Sequence, residues 1–557
     1  MTAVDRGAVD RGAVDRGAVD QGSLERDILA TLMPGFVGFE APEWLTEAFA
    51  NGLLAACVYG SNVRDREQLR ALGLALRTAS PHALIAIDEE GGEVTRLSYL
   101  EGSPYPGAAV MGRIDDEAYS EEIGRRVARE ILSAGFNLAL GPVADVNSNP
   151  LNPVIGTRSF GATPELASRH VAAWVRGLEG EGAIACPKHF PGHGDTGQDS
   201  HHELPTVTAS RELLSQRDLP PFHAAFAAGA RSVMTSHIVL TDLDPAVPAT
   251  FSPLILRELL RGELGFTGVI VSDALDMQGA SGGIGIPEAA VRAIAAGCDL
   301  LCVGVDTTAA QLAEIVGHVA AAVAEGRLER GRVADAAGRV RALSAATGAL
   351  GATGAGNGAP ATGGPAAAEP AAAAEPTAAA EPSPAEPRDA VTQAELARIA
   401  GSFAGLDGAR AWLRDHPDAA VARVDTQANM AVGFAPWGPF AAASHPFPGQ
   451  QAVAAAFAAR PVNPIAPDSG AAGALTGPAA RERGVLVIGR EIHRHAFARS
   501  AVDALLADGV PVLVIEMGWP ATPPPDSPET RYACLSTYGS SALAGAALLT
   551  LLESAAL

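Results

Sequence analysis

The sequence predicts an α/β protein: a (β/α)8 TIM-like barrel followed by a smaller α/β sandwich domain. Three observations carry that prediction. From about Leu24 to Thr347, short apolar runs alternate with Ala-, Leu- and Arg-rich stretches of helical character. Roughly eight such units in about 320 residues match the arithmetic of a barrel of eight strand–helix units. The apolar runs also end on residues that carry charge or take a proton, at Asp88, Asp145, Lys188, His189, His237 and Asp273. Barrels place functional side chains at the carboxyl ends of their strands. Finally, a Pro-rich stretch interrupts the chain and a second β-α-β pattern follows it. A doubly wound sheet is the alternative for the first region.

Taken in order, residues 1–22 repeat Ala-Val-Asp-Arg-Gly three times and close with Ala-Val-Asp-Gln-Gly. A five-residue period suits neither helix nor strand, and recurrent Gly weakens a helix. A disordered tail is expected there. The barrel is expected over 23–348. Its strands are read at Leu54–Tyr59, Leu84–Asp88, Asn137–Leu140, Ala183–Pro187, Ser232–His237, Val269–Asp273 and Leu300–Val303, where apolar runs stop at polar residues or Gly. Its helices are read at Arg66–Thr78, Ser120–Ala134, Pro164–Glu179, Pro220–Ala228, Pro253–Gly262 and Pro287–Ala296. Residues 349–388 repeat AAAEP-like units. Prolines every few residues block a continuous helix, so this is a flexible acidic linker. In residues 389–557, Val485–Gly489 and Val510–Glu516 read as buried strands around a helix at Ala496–Asp508, and Ala542–Leu552 as a last helix. No catalytic constellation stands out in this domain.

The formal charge of −23 disfavours nucleic acid and anionic membrane surfaces as partners. No apolar run reaches the roughly 18–20 residues of a membrane span. The N-terminus carries no apolar signal core. The five cysteines are scattered and lie mostly in strand-like runs, which suggests reduced core residues and a cytoplasmic protein. No phosphate-binding glycine motif is present, and no cofactor is expected.

The stretch from Lys188 to His202, KHFPGHGDTGQDSHH, has a different character from any core segment. It follows the strand-like run Ala183–Cys186 and packs proton carriers among glycines and Pro191. Loops of this kind carry function when a rigid scaffold holds their ends. A zinc or iron site is the rival use of these side chains. The spacings HxxxH and HxDxxxDxH fit no defensible metal pattern, so no metal is expected.

These residues also resemble a known signature. KHFPGHGDT, then Asp199-Ser200-His201 and Leu204-Pro205, is similar to the motif of glycoside hydrolase family 3 in its β-N-acetylglucosaminidase branch. The segment Asp88–Arg96, DEEGGEVTR, resembles the family's D-x-E-G-G-x-V-x-R, with Glu93 where a basic residue is usual. Arg158, in IGTRSFG, matches a further arginine of the family. The resemblance implies that Asp88, Arg96, Arg158, Lys188 and His189 bind sugar hydroxyls. For Arg96 and Arg158 the competing reading is a structural ion pair. Asp145 and His237 are read as supports behind them.

Retaining glycosidases need a nucleophile and an acid. Asp273, in VIVSDALDM, ends an apolar strand. On the residues alone it is either a rigidly held carboxylate or a helix N-cap. The resemblance makes it the residue that forms the covalent glycosyl-enzyme, with Asp276 as the alternative. The resemblance also implies an acid/base dyad of His201 and Asp199. An imidazole titrating near neutrality can donate and then accept a proton, and a carboxylate beside it raises its pKa. On an extended segment, positions i and i+2 point the same way, whereas His202 would face the other side. The expected activity is hydrolysis of terminal β-GlcNAc from small saccharides, either cell-wall fragments or chitin oligomers. The alternatives are a phosphorylase with inorganic phosphate as acceptor, a β-glucosidase, and a sugar-binding protein without activity.

Overall fold

The computed structural model describes residues 11–198, 204–353, 391–426, 431–433, 435–467, 475–524 and 531–556. Eight short parallel strands form the barrel: β1 Leu32–Pro34, β2 Ala55–Val58, β3 Leu84–Ile87, β4 Leu138–Ala139, β5 Ile184–Ala185, β6 Ser232–Met234, β7 Val269–Val271 and β8 Leu301–Gly304. Strands β2 to β5 pair in sequence, β6 pairs with β7, and β8 pairs with β1. Two backbone bonds stitch β5 to β6: Met234 N to Pro187 O at 2.9 Å, and Phe190 N to Met234 O at 2.8 Å. Asp299 N donates to Ile270 O at 2.8 Å between β7 and β8. β1 packs beside β2. The ring therefore closes, which removes the doubly wound alternative.

The strands alternate strictly. Ala55, Cys57, Leu84 and Ala86 point into the barrel core. Their neighbours Ala56, Val58, Ile85 and Ile87 face the surrounding helices. Every strand is thus apolar on both faces, as enclosed parallel strands are. Helix Arg330–Thr353 closes the amino end, with Val340 and Leu343 against the core. Asp299 is buried there between Arg261 and Arg332 and accepts from Ile270 N at 2.9 Å.

Four expectations need correction. The chain is helical over Arg11–Ala30, inside the expected disordered tail. Leu24 and Ile28, one turn apart, bury against the barrel, and a helix anchored by packing propagates at little cost. Strand β1 lies outside the expected set, because three residues ending in Pro make too short an apolar run. The expected helix Pro253–Gly262 is a π-helix over Leu254–Glu263. Strands β4 and β5 are shorter than expected. The Asn137 side chain substitutes for ladder bonds, accepting from Ile85 N at 2.7 Å and donating to Ala83 O at 3.0 Å. Most of the expected linker, from residue 354, lies outside the described residues. Among the described residues no helix is long and apolar enough to cross a membrane.

The second domain is built on five parallel strands: β9 Ala420–Val424, β10 Val462–Ile465, β11 Val485–Gly489, β12 Val512–Glu516 and β13 Tyr532–Ser536. Their order is β10-β9-β11-β12-β13. Leu486 and Ile488 face helices Gln393–Gly401, Leu406–Asp415 and Ala542–Ala556. Val485 and Val487 face helix Ala496–Ala507. This is a three-layer sandwich. It grips the barrel through Arg113, whose Nε donates to Ser402 O at 2.5 Å and whose guanidinium lies 4.3 Å over the Tyr538 ring. Tyr119 Oη donates to Glu395 Oε1 at 2.9 Å in the same interface.

Candidate active site

The carboxyl ends of β3 and β5 bring opposite charges together. Lys188 Nζ lies 2.9 Å from Asp88 Oδ1 and 2.8 Å from Glu90 Oε1. Arg158 forks onto Glu90 at 2.7 and 2.9 Å. Arg96 Nη2 reaches Asp88 Oδ2 at 3.4 Å and donates to Ala431 O of the second domain at 2.7 Å. Glu90, Lys188 and Arg158 are buried, and buried charges persist only when paired. Burial alone would raise the Asp88 carboxyl, but Lys188 and Arg96 hold it below its usual value. Burial opposes ionisation of Glu90 as well, and Arg158 and Lys188 overcome it. Asp88 and Arg96 therefore come together as a pair, and Arg158 and Lys188 join them through Glu90.

Glu90 was not among the residues singled out from the sequence. It takes the fixed acidic place in the family's D-x-E-G-G-x-V-x-R, whereas Glu89 falls on a variable position, and that pattern is the signal that could have found it. Glu89 turns the other way. Its Oε2 accepts from Thr95 Oγ1 at 2.7 Å and from the Arg96 and Leu97 amides at 3.2 Å each, so it holds the turn that presents Arg96. Burial, followed by the Glu130 charge, pushes its carboxyl up to about 8.

Asp145, after β4, organises the loop that follows β5. Its fully buried carboxylate bonds His189 Nδ1 at 2.7 Å and accepts from the amides of His189 at 3.2 Å and His193 at 2.7 Å. His193 is buried, and its Nδ1 lies 2.8 Å from Thr196 Oγ1. Burial, with the neighbouring His189, pushes its imidazole down to about 4. His193 thus stays neutral and shapes the loop. The loop packs so closely that a Cβ on Gly194 would stand 1.6 Å from Val146 O. Only glycine fits there.

Asp273 follows β7 and is half-buried. Its Oδ1 accepts from Ala274 N at 2.8 Å, and its amide donates to Thr235 Oγ1 at 3.4 Å. The N-cap alternative is not what this geometry shows. The next helix begins at Gln278 and has no side-chain cap. His237 is buried and fixes the turn, with Nε2 3.0 Å from Ala274 O and Nδ1 2.9 Å from Thr250 Oγ1. Asp276 Oδ2 accepts from Val305 N at 3.0 Å, beside β8. The Cys186 thiol at the end of β5, pushed up to about 12 chiefly by burial, feels the charges of Lys188, Asp273 and Asp88 together. Asp273, after β7, and the Asp88–Lys188 pair, after β3 and β5, all stand at the carboxyl end of the barrel. Asp199, His201 and His202 lie outside the described residues. The chain on either side of them belongs to the same face, since Thr206–Val207 pairs with Val239–Leu240 after β6. Among the described residues, no three His, Cys, Asp or Glu side chains cluster as metal ligands would.

A carboxylate at a strand end beside a charged, hydrogen-bonding cradle fits the chemistry of sugars. Residues 32–343 match the model of the glycosyl hydrolase family 3 N-terminal domain. The chain belongs to glycosyl hydrolase family 3. The match begins at β1 and ends in the helix that closes the barrel. Among curated relatives, a β-hexosaminidase of Chromobacterium violaceum is 37% identical over 310 residues, covering 54% of this chain and 85% of that protein. β-Hexosaminidase A of Pseudoalteromonas piscicida is 36% identical over 266 residues, but the chain spans only 44% of its length. The solved family 3 β-N-acetylglucosaminidase of Paenibacillus sp. is 27% identical with a TM-score of 0.75, covering 95% of this chain and 96% of that one. It shares both domains. The β-N-acetylhexosaminidase of Beutenbergia cavernae is 29% identical with a TM-score of 0.53, and covers 58% of this chain and 98% of that one.

Proposed function

We propose that this glycoside hydrolase is a retaining β-N-acetylhexosaminidase that releases terminal β-GlcNAc from short saccharides such as cell-wall fragments or chitin oligomers. Asp273 attacks the anomeric carbon as His201, oriented by Asp199, protonates the departing oxygen. His201 then takes a proton from water, and the resulting hydroxide displaces Asp273. Asp88, Arg96, Arg158, Lys188 and His189 hold the hydroxyls of the sugar. The carrying observation is that Asp273 ends β7 on the same barrel edge where Lys188, after β5, is paired with Asp88, after β3. A nucleophile held on a strand end beside fixed sugar-binding charges meets its target without reorganising. The likeness to the Paenibacillus N-acetylglucosaminidase along nearly the whole chain supports the choice of sugar.

The test is incubation with para-nitrophenyl β-GlcNAc, with and without inorganic phosphate, followed by identification of the sugar product. The expected result is free GlcNAc at a rate indifferent to phosphate. GlcNAc 1-phosphate would make the protein a phosphorylase, and no release from this or the corresponding glucoside would overturn the enzymatic reading.

A further inference from the structure

The second domain meets the barrel with the carboxyl ends of its own strands. Its strand order reverses between β9 and β11, and in open parallel sheets the crevice at such a reversal is where ligands sit. Thr426, after β9, and Arg490 and Glu491, after β11, close a cleft with Glu93, Thr157 and Arg158 of the barrel. Arg158 is thus a wall common to this cleft and to the charged cradle.

Arg490 is 9% exposed, and its guanidinium lies 4.9 Å over the Trp437 ring. Its side chain makes no hydrogen bond or ion pair with the described residues. Arg96 and Arg158, buried in the same region, are both paired. A guanidinium carries five donors and keeps its proton, so a buried one is stable only when something accepts from it. Among the described residues none accepts from it, which leaves its donors to whatever enters the cleft, water or ligand.

The surroundings select its chemistry. Glu93 and Glu491 both act on Arg490 through their charges. Glu93 Oε1 is already engaged by Thr157 Oγ1 at 2.7 Å and Ser540 N at 3.3 Å. An anion would meet these carboxylates as well as the cation. A hydroxyl accepts from the guanidinium and donates to a carboxylate, and so satisfies both. The cleft is small, with a cavity volume of about 30 Å³, enough for one or two water-sized groups.

We propose that Arg490 is a substrate-binding residue supplied by the second domain, and that it takes a single hydroxyl of the saccharide whose sugar lies in the cradle. This rests on the glycosidase reading. The hydroxyl belongs either to the cradle sugar or to the ring next to it. The experiment compares Arg490→Met and Arg490→Lys with the unaltered full chain on para-nitrophenyl β-GlcNAc and on diacetylchitobiose. For Arg490→Met we expect KM to rise about tenfold with kcat nearly unchanged, and Arg490→Lys to recover only part of the loss because it keeps the charge without the fork. A rise on both substrates assigns the hydroxyl to the cradle sugar, and a rise on chitobiose alone assigns it to the neighbour. Calorimetric titration of chitobiose in an Asp273→Asn background reads the same contact without turnover, so an inert enzyme would sink the glycosidase reading and still leave this one testable. Unchanged KM and affinity in Arg490→Lys and Arg490→Met, or a loss confined to kcat, would overturn the proposal.

Discussion

Two parallel sheets face each other in this protein, and their carboxyl edges are furnished differently. On the barrel edge, side chains pair with side chains: Lys188 lies between Asp88 and Glu90, and Arg158 forks onto Glu90. On the edge of the second domain, a carboxylate gathers backbone amides instead. Glu516 accepts from Glu491 N, Ile492 N and Gly518 N at 2.6 to 2.8 Å, and the Arg490 side chain makes no hydrogen bond or ion pair with the described residues. The barrel edge is pre-organised by mutual charge. The edge of the second domain keeps its backbone rigid and leaves a cation for something else to satisfy. A charged group that the fold has already paired is held in place, whereas one left unpaired waits for a ligand.

The comparison can be broken at several points. The largest effect is expected from Asp273→Asn, which removes the proposed nucleophile from the barrel edge. Its kcat should fall by about 10³-fold or more while the thermal midpoint stays in place. Steady-state kinetics with para-nitrophenyl β-GlcNAc check this, and a loss of less than tenfold would remove Asp273 from the mechanism.

Next comes Glu90→Gln. It leaves Lys188 and Arg158 buried with less opposing charge, and breaking a buried pair from one side costs about 3–5 kcal/mol. Denaturant unfolding should show a loss of that order. If the loss stayed under about 1 kcal/mol, the barrel edge would not be held by mutual charge.

The pH dependence sharpens the contrast between neighbours within the barrel. His193 titrates near 4 in the fold and near 6.5 when unfolded. Between those values the unfolded chain binds the extra proton, so stability rises with pH, by up to about 3 kcal/mol. Glu89, pushed up to about 8, works in reverse. The folded chain holds its proton from about pH 4.5 upward, so the stability it confers is full below that pH and is lost as pH rises through 8. The two slopes oppose each other over pH 4.5–6.5. Unfolding midpoints across pH 4–8 should therefore fall with pH in His193→Gln and rise with pH in Glu89→Gln over that window. Equal slopes in the two variants would refute both assignments.

The smallest effect is expected between the domains. Arg113→Met removes a cation over the Tyr538 ring, a contact worth about 0.5–1 kcal/mol, and one hydrogen bond to Ser402 O. A modest fall in thermal midpoint with unaltered kcat is the expected outcome.

Much of this was legible along the chain. The continuous apolar runs Ala55–Val58 and Leu84–Ile87, and polar residues where such runs stop, are local signals of strands buried on both faces. They were enough for most barrel strands and for placing Asp88, Lys188, His189 and Asp273 on one edge. β1 escaped because three residues ending in Pro make too short an apolar run. Glu89 and Glu90 show where local reading ends. They are adjacent and chemically identical, yet one is raised and the other lowered. Glu90 meets a guanidinium 68 positions away, whereas Glu89 meets the backbone of its own turn. One partner of Arg96 lies 335 positions away, and the burial of Arg490 depends on the docking of two domains. Apolar runs and their ends are properties of consecutive residues, so they can be read in order. Charge state and exposure depend on which distant groups share a small volume, and only the folded chain brings those groups together.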